Sequence, residues 1–532
     1  MTTGHSSNLT LTGQLPFILL VSAALAFVLS LVLLRFYKRS VLRSMSRRAE
    51  AAASLQPPPA ESEFPALPHE TTPRTPPAAC AADYFARASR APWRLAAVYA
   101  IAGLAYALFI AAAELAGSSI SFSRHRVLFL FWCFAWPVVL AITLIACTSW
   151  RSKAAVVLPY FLVLTSGLLI GLSPFQIITI WALANGAATL LLLAFLLRRI
   201  RAVGPLVFTF TLLAVAGSQI AVNFIALDLE HGQRITGAAF SLGFGARGFF
   251  LFLLVIGMIA FASVGWFALR WLGRRYEGKK ITDQSLTLDA IWLIFAIVHS
   301  IFLALNGPVW ALGGLLAFLG YKIVLALGLR LVRVHPTTGP RLLLLRVFSL
   351  GRRSERMFDA IGRHWRHVGS IQLIAGPDLA TSTVEPHEFL DFIGGKLARR
   401  FIDGPLAFQR RRAEMDLKRD FDGRFRVTDF FCQDDTWQMV LRRLVGESDA
   451  VLMDLRGFSR TNGGCVFEIQ ELMKAANPAR LLFVTDKTTD EAFLHETITR
   501  ATKMAWFSHI LRGERASFSS LAALAAGAKS AS

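Results

Sequence analysis

The sequence is poor in cysteine and in acidic residues. It has five cysteines among 532 residues, with no CxxC pair and no Cys/His cluster at metal-ligand spacing. This pattern indicates neither a disulfide framework nor a metal site. Asp and Glu number 35 against 56 Lys and Arg, which gives a formal charge of +21. In a chain that also has long apolar runs, such a basic excess is typical of cytoplasmic membrane flanks, and we expect no nucleic-acid partner.

Long apolar runs dominate the first 333 residues. Hydrophobic residues make up 54% of the chain, above the roughly 45–50% of soluble proteins. The runs are close to the roughly 20 residues that an α-helix needs to cross the hydrocarbon core, so we expect the lipid bilayer as a partner. We predict about nine spans, at approximately 15–36, 95–115, 127–149, 154–172, 175–197, 205–227, 248–269, 288–305 and 309–329.

The basic residues predict the orientation of these spans. Lys38, Arg39 and Arg43 follow the first run and no basic region precedes it, so this run is predicted to be an anchor with the N-terminus outside. Alternating sides from there, the predicted inner loops carry most of the loop Lys and Arg. The C-terminal domain is therefore predicted to be cytoplasmic, and the chain to lie in a bacterial inner membrane.

Few ionisable residues were identified inside the predicted spans. Glu114 lies near a span end and His299 is alone in its run. A charge at mid-membrane costs at least roughly 2.5–3.5 kcal/mol and persists mainly where function requires it. We interpret Glu114 and His299 as packing or interfacial residues, so transport is the least favoured function.

The predicted domain organisation has five parts. A membrane anchor, 1–37, is followed by a cytoplasmic linker, 38–93, which has eight prolines between Gln56 and Ala79. A membrane helical bundle occupies 94–333, an α/β domain occupies 334–510, and a disordered tail occupies 511–532.

The α/β domain is predicted from short apolar runs that alternate with amphipathic helices. We predict strands at 342–348, 371–375, 425–431, 450–455 and 481–485. We predict helices at 353–368, 385–402, 436–445, 464–476 and 490–506. The predicted fold class is thus an α-helical multi-pass membrane domain followed by a cytoplasmic α/β domain with a doubly wound, mainly parallel five-stranded sheet.

One stretch has the residues of a ligand site. In an open parallel sheet the ligand crevice lies at the carboxyl ends of the strands. There Asp454 ends a strand, Arg456 and Arg460 offer guanidinium donors, and Asn462 and Gly463 open a helix whose free N–H groups favour anions. This pattern favours phosphate or ribose binding.

Glu468 is the candidate catalytic residue. It lies one turn into that helix, at the edge of a core stripe that includes Cys465 and Ile469, and we expect it beside the crevice rather than beneath it. A partly desolvated carboxylate there could act as a nucleophile or stabilise an oxocarbenium ion in glycosidic cleavage. The alternative is an acidic residue that the helix dipole favours in a first turn. Cys465 fits the core stripe as a small buried hydrophobe.

The stretch from Ser448, SDAVLMDLRGFSRTNGGCVFEIQELMKAANPARLLFVTD, resembles the TIR domain pattern of strand, Ser-containing loop, Cys, Glu three residues later, and strand. Cys465 and Glu468 occupy the Cys and Glu places, and 342–358 resembles the TIR opening strand, loop and first helix. The run Gly464 to Ile469 is also similar to nucleoside 2-deoxyribosyltransferases. In both families the corresponding Glu serves cleavage of an N-glycosidic bond, in NAD or in deoxynucleosides. The resemblance implies that Glu468 is catalytic; the membrane region resembles no family that we can name.

Three hypotheses of function follow. The first is a membrane-anchored signalling or effector hydrolase, of the NAD(P) glycohydrolase or nucleoside-transferase kind, with a nucleotide as substrate and no cofactor. The second is a non-catalytic signalling module that binds a partner or self-associates. The third is a transporter with a regulatory cytoplasmic domain. In the first, the catalytic residue is Glu468 and the ligand-binding residues are Asp454, Arg456, Arg460, Asn462, Gly463, Ser349 and Arg352.

Overall fold

The computed structural model describes residues 4–52, 81–118, 122–195, 203–227, 229–241, 243, 245–332, 338–346, 352–375, 386–415, 417–433, 436–475, 480–502 and 510–512. The chain divides into two compact units. One, called the membrane unit below, comprises Met1–Phe36, Trp93–Arg333 and Glu385–Gly394. The other, called the sheet unit, comprises Tyr37–Pro92, Val334–Val384 and Gly395–Ser532.

Helices make up the described part of the chain before the sheet. They are α1 (Gly4–Ala52), α2 (Ala81–Gly117), α3 (Arg124–Phe134), α4 (Trp136–Ile145), α5 (Trp150–Leu164), α6 (Pro174–Phe195), α7 (Gly204–Leu227), α8 (Leu229–Ser241), α9 (Ala246–Glu277), α10 (Asp283–Leu303) and α11 (Gly313–Leu331). Among the described residues, eight stretches are long and apolar enough to cross a membrane. They are Leu20–Ser44, Ala86–Gly117, Arg124–Ile145, Trp150–Ile170, Pro174–Leu193, Arg247–Glu277, Asp283–Leu303 and Gly313–Leu331.

The predicted count was about nine spans, and eight of the nine predicted runs correspond to these stretches. The remaining run, 205–227, forms helix α7, in which Leu206–Ser218 is a shorter apolar stretch among the described residues. The proline-rich part of the predicted linker, and most of the predicted tail, lie outside the described residues.

Helices α7 and α9 pack closely through glycine. A Cβ added at Gly257 of α9 would lie 2.5 Å from the carbonyl oxygen of Gly217 and 2.6 Å from the Cβ of Ala221, both on α7. Small residues let two backbones approach in this way, which is a common device where helices associate in lipid.

We expect Gly257→Ala to lower the thermal unfolding midpoint of the full chain in detergent. The new methyl group meets a backbone oxygen that cannot move alone, so overpacking of about 1–3 kcal/mol outweighs the gain of about 1 kcal/mol in helix propensity. The matched control is Gly320→Ala on α11, where an added Cβ meets nothing within 4 Å. The control should leave the midpoint unchanged or raise it. If both variants changed the midpoint equally, the close packing of α7 against α9 at Gly257 would be contradicted.

The membrane unit holds more polar contacts than the sequence analysis identified. Lys322 of α11 donates to Asp289 of α10 at 2.6 Å, and neither residue was singled out. The two predicted packing residues also have partners: the hydroxyl of Tyr106 lies 2.8 Å from His299 Nδ1, and Asn306 donates to Glu114 at 2.9 Å. Each contact joins segments distant in sequence, as buried polar groups commonly do between membrane helices.

The sheet unit is built on a parallel sheet. Its strands are β1 (Arg341–Arg346), β2 (Ser370–Ala375), β3 (Phe401–Ile402), β4 (Val427–Cys432), β5 (Ala450–Asp454), β6 (Leu481–Thr485) and β7 (Ile510–Arg512). The strand order is β3-β4-β2-β1-β5-β6-β7, and every neighbouring pair is parallel. The five predicted strands are present, but the predicted count was too low because the short β3 and β7 extend the sheet at its two edges.

The central strands are buried on both sides. Leu343 and Leu345 of β1 pack into one hydrophobic core with β5 and β6. Leu342 and Leu344 alternate with them and pack into a second core. Because successive side chains of a strand point to opposite faces, two cores show that both faces are covered, which explains the nearly continuous apolar composition of the strands.

The helices of the second half differ from the prediction at two places: a helix at Pro405–Ala413 was not predicted, and the predicted helix 385–402 is shorter. They are α12 (Arg352–Trp365), α13 (Pro386–Ile393), α14 (Pro405–Ala413), α15 (Trp437–Glu447), α16 (Gly463–Ala475) and α17 (Glu491–Thr502). The predicted single helix 385–402 was wrong. It ends at Ile393 because Gly394 and Gly395 follow and Gly395 adopts φ +69°, a left-handed conformation that terminates helices. Phe401, which lies inside the predicted helix, instead begins β3.

Candidate functional site

The candidate site lies where the strand order reverses. The chain runs from β1 outward to β2 and then returns to β5 on the other side of β1, so the connections after β1 and β5 leave in opposite directions. Crevices for ligands form at such a point, outside the carboxyl ends of the strands. In the parallel register Arg346 and Asp454 are partners, and they are the last residues of β1 and β5.

Part of this crevice lies outside the described residues. Ser349 and the loop 376–383 are outside them, and so is the side chain of Arg352, the first residue of α12. The loop after β5, which contains Arg456, Arg460 and Asn462, is described, and so are Gly463 and Glu468 on the helix that follows it.

Asp454 and Arg456 bind each other. The guanidinium of Arg456 donates to both carboxylate oxygens of Asp454, from Nε and from Nη2, each at 2.8 Å. Both side chains are buried. This fork-to-fork arrangement is a strong form of charge-assisted hydrogen bond. Both residues were predicted to bind ligand, but in this structure they bind each other.

The loop between β5 and α16 is closed by its own side chains. Gly457 adopts φ +71°, which allows the sharp turn after Arg456. The Oδ1 of Asn462 accepts from the backbone N–H of Ser459 at 2.9 Å and from its hydroxyl at 3.1 Å. The hydroxyl of Thr489 donates to the carbonyl of Leu455 at 3.0 Å, which ties the loop after β6 to this one. Asn462 is therefore a loop-closing residue.

Arg460 lies apart from the Asp454–Arg456 pair. It is 75% exposed, and its guanidinium lies 3.5 Å from Glu496 and stacks over Phe493 at 5.1 Å. Both partners belong to α17. Gly463 opens α16, and a Cβ added there or at Gly464 would meet nothing within 4 Å. There is thus open space beside the first turn of this helix, where free N–H groups attract anions.

Glu468 is buried, which corrects the expectation that it would lie beside the crevice. Its exposure is 2%, and its Oε2 has no hydrogen-bond partner among the described residues. Burial raises the pKa of this carboxyl to about 8. The sequence pattern identified the core stripe of Cys465 and Ile469 correctly. The sequence pattern did not show that α15 and α17 pack on either side of α16, at the edges of that stripe where Glu468 lies.

Neighbouring contacts fix the helix that carries Glu468. Phe467 packs edge-on against Trp437 of α15, with ring centres 5.3 Å apart. The thiol of Cys465 lies 3.9 Å from the carbonyl oxygen of Arg346. The first turn of α16 is thereby held against the carboxyl end of β1.

Sequence reasoning missed Arg346. This arginine is buried and ends β1 directly beside Asp454 in the register. The available signal was a charged residue closing an otherwise apolar strand, RLLLLR. Burying a charge costs free energy unless the charge is paired. A buried arginine beside a predicted site residue is therefore a candidate functional position.

No candidate metal centre was found in the part of the chain that the structure describes, where no three His, Cys, Asp or Glu side chains come together. Comparison of the chain with protein-family models, with curated proteins and with solved structures gave no match.

Proposed function

We propose that this chain is a membrane-anchored effector whose sheet unit cleaves the N-glycosidic bond of NAD or a related nucleotide, with Glu468 as the catalytic carboxyl. The observation that carries the proposal is the state of Glu468: a buried carboxyl with an unpaired Oε2 and a raised pKa. Such a group costs folding free energy, and strongly perturbed carboxyls of this kind occur most often at functional sites.

The fold around Glu468 supports the proposal. We infer that the sheet is doubly wound, because its order reverses at β1 and hydrophobic cores cover both faces. Folds of this type bind nucleotides at the reversal point. Glu468 lies on the helix that follows β5, and Cys465 of the same helix touches the end of β1.

The chemistry follows from the raised pKa. At neutral pH most of the Glu468 carboxyl is protonated, so with a nucleoside substrate it can donate a proton to the base, which leaves with the electron pair of its bond to C1′. The nicotinamide of NAD is a cationic pyridinium that leaves as a neutral molecule without taking a proton, so with NAD the ionised fraction of Glu468 acts, by stabilising the positive charge that develops on the sugar. In both cases water then adds to C1′ and gives its proton to the carboxylate. A group that changes from acid to anion in this way works best when its pKa lies near the working pH.

The binding residues are reassigned in part. Arg460 and the N–H groups of the first turn of α16 hold the phosphate, since both adjoin open space. The Asp454–Arg456 pair holds the loop in shape. From the β1 side, Arg352 remains a predicted phosphate contact and Ser349 remains a predicted ligand-binding residue.

The orientation is part of the proposal. The excess of basic residues in alternate loops supports an outer N-terminus and a cytoplasmic sheet unit in a bacterial inner membrane. A cytoplasmic location gives the sheet unit access to NAD and nucleosides, and the spans then anchor or control it.

The test is base release by the full chain in liposomes, measured with NAD and a panel of nucleosides. We expect Glu468→Gln to lower the rate by at least about 100-fold, the usual effect of losing a general acid. The matched control is Glu471→Gln, which removes a carboxyl one turn further along the same helix that is paired with Arg442 and Lys474. Full activity in Glu468→Gln would refute the catalytic role.

A non-catalytic signalling module is the second candidate. The Asp454–Arg456 pair favours it, because two residues that would bind ligand are already satisfied by each other. If wild type, Glu468→Gln and Glu471→Gln are all folded and inert while the sheet units self-associate, this candidate replaces the first. The Asp289–Lys322 pair is the one new observation in favour of transport. A transport phenotype that maps to this pair would support that third candidate.

A further inference from the structure

Hydrogen-bonding side chains recur along one face of α10 in the membrane unit. Asp289, Trp292 and His299 follow one another on this helix, and Asn306 lies in the short 3₁₀ turn that continues it. Their separations of three or seven residues place them on one face. The stretch from Asp289 to Asn306 is about 25 Å long at the helical rise, which is close to the thickness of roughly 30 Å of the hydrocarbon core.

Two neighbouring helices complete this line of polar groups. On α2, the Tyr106 hydroxyl lies 2.8 Å from His299 Nδ1, and Glu114 accepts from Asn306 at 2.9 Å. On α11, Lys322 donates to Asp289 at 2.6 Å. We call the paired residues the polar seam: Tyr106, Glu114, Asp289, His299, Asn306 and Lys322. All six belong to the membrane unit.

The seam also has unused hydrogen-bonding capacity. Asp289 Oδ1, Trp292 Nε1 and the Tyr321 hydroxyl are buried and have no hydrogen-bond partner among the described residues. Trp292 stacks on Tyr321 with ring centres 4.7 Å apart and meets Tyr106 edge-on at 5.1 Å. These two rings therefore connect the Asp289 end of the seam to the Tyr106–His299 pair.

Helix packing alone accounts for only part of this arrangement. Single polar contacts commonly join membrane helices, and each of the three paired contacts could serve that purpose. Buried polar atoms are normally paired, however, so the three unpaired atoms call for another explanation. Ionisable residues that follow one another through a bundle interior are typical of ion pathways and proton relays.

Close packing in the middle of the seam favours the proton among the possible ions. Tyr106, Trp292 and His299 are fully buried. The ring of Phe134 lies 4.9 Å from that of His299, and a Cβ added at Gly103 would lie 2.5 Å from the Trp292 ring. Side chains packed at this density exclude a hydrated metal ion, whereas a proton moves between atoms that are already in contact.

We propose that the polar seam carries protons through the membrane unit. Asp289 and Glu114 are the carboxylates near its two ends, and the Tyr106–His299 pair is the relay between them. When a proton binds one ring nitrogen of His299, the other nitrogen releases its proton to the Tyr106 oxygen. The hydroxyl of Tyr106 passes its own proton on, so both residues end the step uncharged.

Water molecules bridge the longer intervals of the seam, and the unpaired atoms of Trp292 and Tyr321 are polar partners for them there. The inference gives the transport candidate a specific cargo. It does not depend on Glu468, and it holds whether or not the sheet unit is an enzyme.

The experiment measures proton flux through the full chain in liposomes of phosphatidylcholine and phosphatidylglycerol that enclose a pH-sensitive dye. A potassium gradient with valinomycin makes the interior negative and draws protons inward. We expect the interior to acidify faster than in protein-free liposomes, while uptake of radioactive sodium stays at the protein-free rate. Acidification at the protein-free rate would overturn the proposal. Sodium uptake above that rate would also overturn it, because the path would then be a wider pore.

The test variant is Tyr106→Phe, which should lower proton flux by at least about tenfold, since a positioned proton-transfer group typically contributes more than that to a rate. The matched control is Tyr160→Phe, which removes another buried hydroxyl of the membrane unit, one that donates to the carbonyl of Cys133 at 3.2 Å outside the seam. This control should leave proton flux unchanged.

Glu114→Gln is a second test variant, because an amide oxygen can still accept from Asn306 but the side chain no longer takes up and releases a proton. It should also lower proton flux, and the thermal midpoint in detergent checks that each variant remains folded. Full flux in either Tyr106→Phe or Glu114→Gln would overturn the proposal. An equal loss in Tyr106→Phe and Tyr160→Phe would overturn it as well, because the hydroxyls would then serve packing alone.

Discussion

Glu468→Gln is expected to stabilise the protein at neutral pH and to leave its stability unchanged near pH 4.5. The folded-state pKa of Glu468 is raised from 4.5 to about 8. For a group raised in this way, the stabilising contribution is complete below the unfolded pKa and is lost as pH rises through the folded one. The shift corresponds to at most about 3 kcal/mol at pH 7, less whatever the buried glutamine amide costs.

The measurement is the thermal midpoint of both proteins in detergent at several pH values between 4.5 and 8.5. The difference between Glu468→Gln and wild type should grow steadily with pH and level off above pH 8. Glu471→Gln is the control on the same helix. Partial burial tends to raise the pKa of Glu471, but hydrogen bonds and charges from Lys474 and Arg442 outweigh burial and lower it. Glu471→Gln should therefore be slightly less stable than wild type at neutral pH. If the difference in thermal midpoint between Glu468→Gln and wild type did not change with pH, the raised pKa of a buried Glu468 carboxyl would be contradicted.

This result would bear on function as well as on stability. A residue that destabilises the fold at working pH and yet is needed for turnover shows the familiar trade-off between stability and activity. If Glu468→Gln were both more stable and unable to release base from NAD, the two observations together would identify the carboxyl as a catalytic group. Greater stability with unchanged signalling behaviour would favour the non-catalytic module.

Asp454→Leu alone is expected to destabilise the sheet unit by about 3–5 kcal/mol, because it leaves the buried guanidinium of Arg456 without its bidentate partner. Arg456→Met alone should destabilise the sheet unit by a similar amount, because it leaves the buried carboxylate of Asp454 without a partner. The double variant, Asp454→Leu with Arg456→Met, should recover most of the loss, since a buried ion pair can often be replaced by apolar side chains. The measurement is the thermal midpoint of the four proteins, compared as a double-mutant cycle.

The cycle has a clear contrary outcome. If the single variants were as stable as wild type, Asp454 and Arg456 would not depend on each other, and both would be available to a ligand as first predicted. If the double variant recovered stability and also kept its base-release activity, the pair would serve to shape the loop alone. Loss of activity in a stable double variant would instead show that the pair contributes to ligand binding.

Several features of this protein follow from local sequence alone. Run length and hydropathy located eight candidate spans, because a helix that crosses lipid must satisfy its own backbone over a fixed length. Short apolar runs located β1, β2, β4, β5 and β6. The core stripe of α16 and the loop at the carboxyl end of β5 were also readable, because spacing along a helix or strand determines which side chains share a face.

Other features required contacts between residues far apart in the chain. The closed Asp454–Arg456 pair, the burial of Glu468 between neighbouring helices and the place of Arg346 beside Asp454 depend on how α15, α16 and β1 pack. The Asp289–Lys322 pair joins two helices, and its residues are 33 positions apart in the chain. Hydrophobic periodicity reports whether a side chain faces the core, but the partners and the charge state of a buried polar group are set by the three-dimensional neighbours that desolvate and pair it.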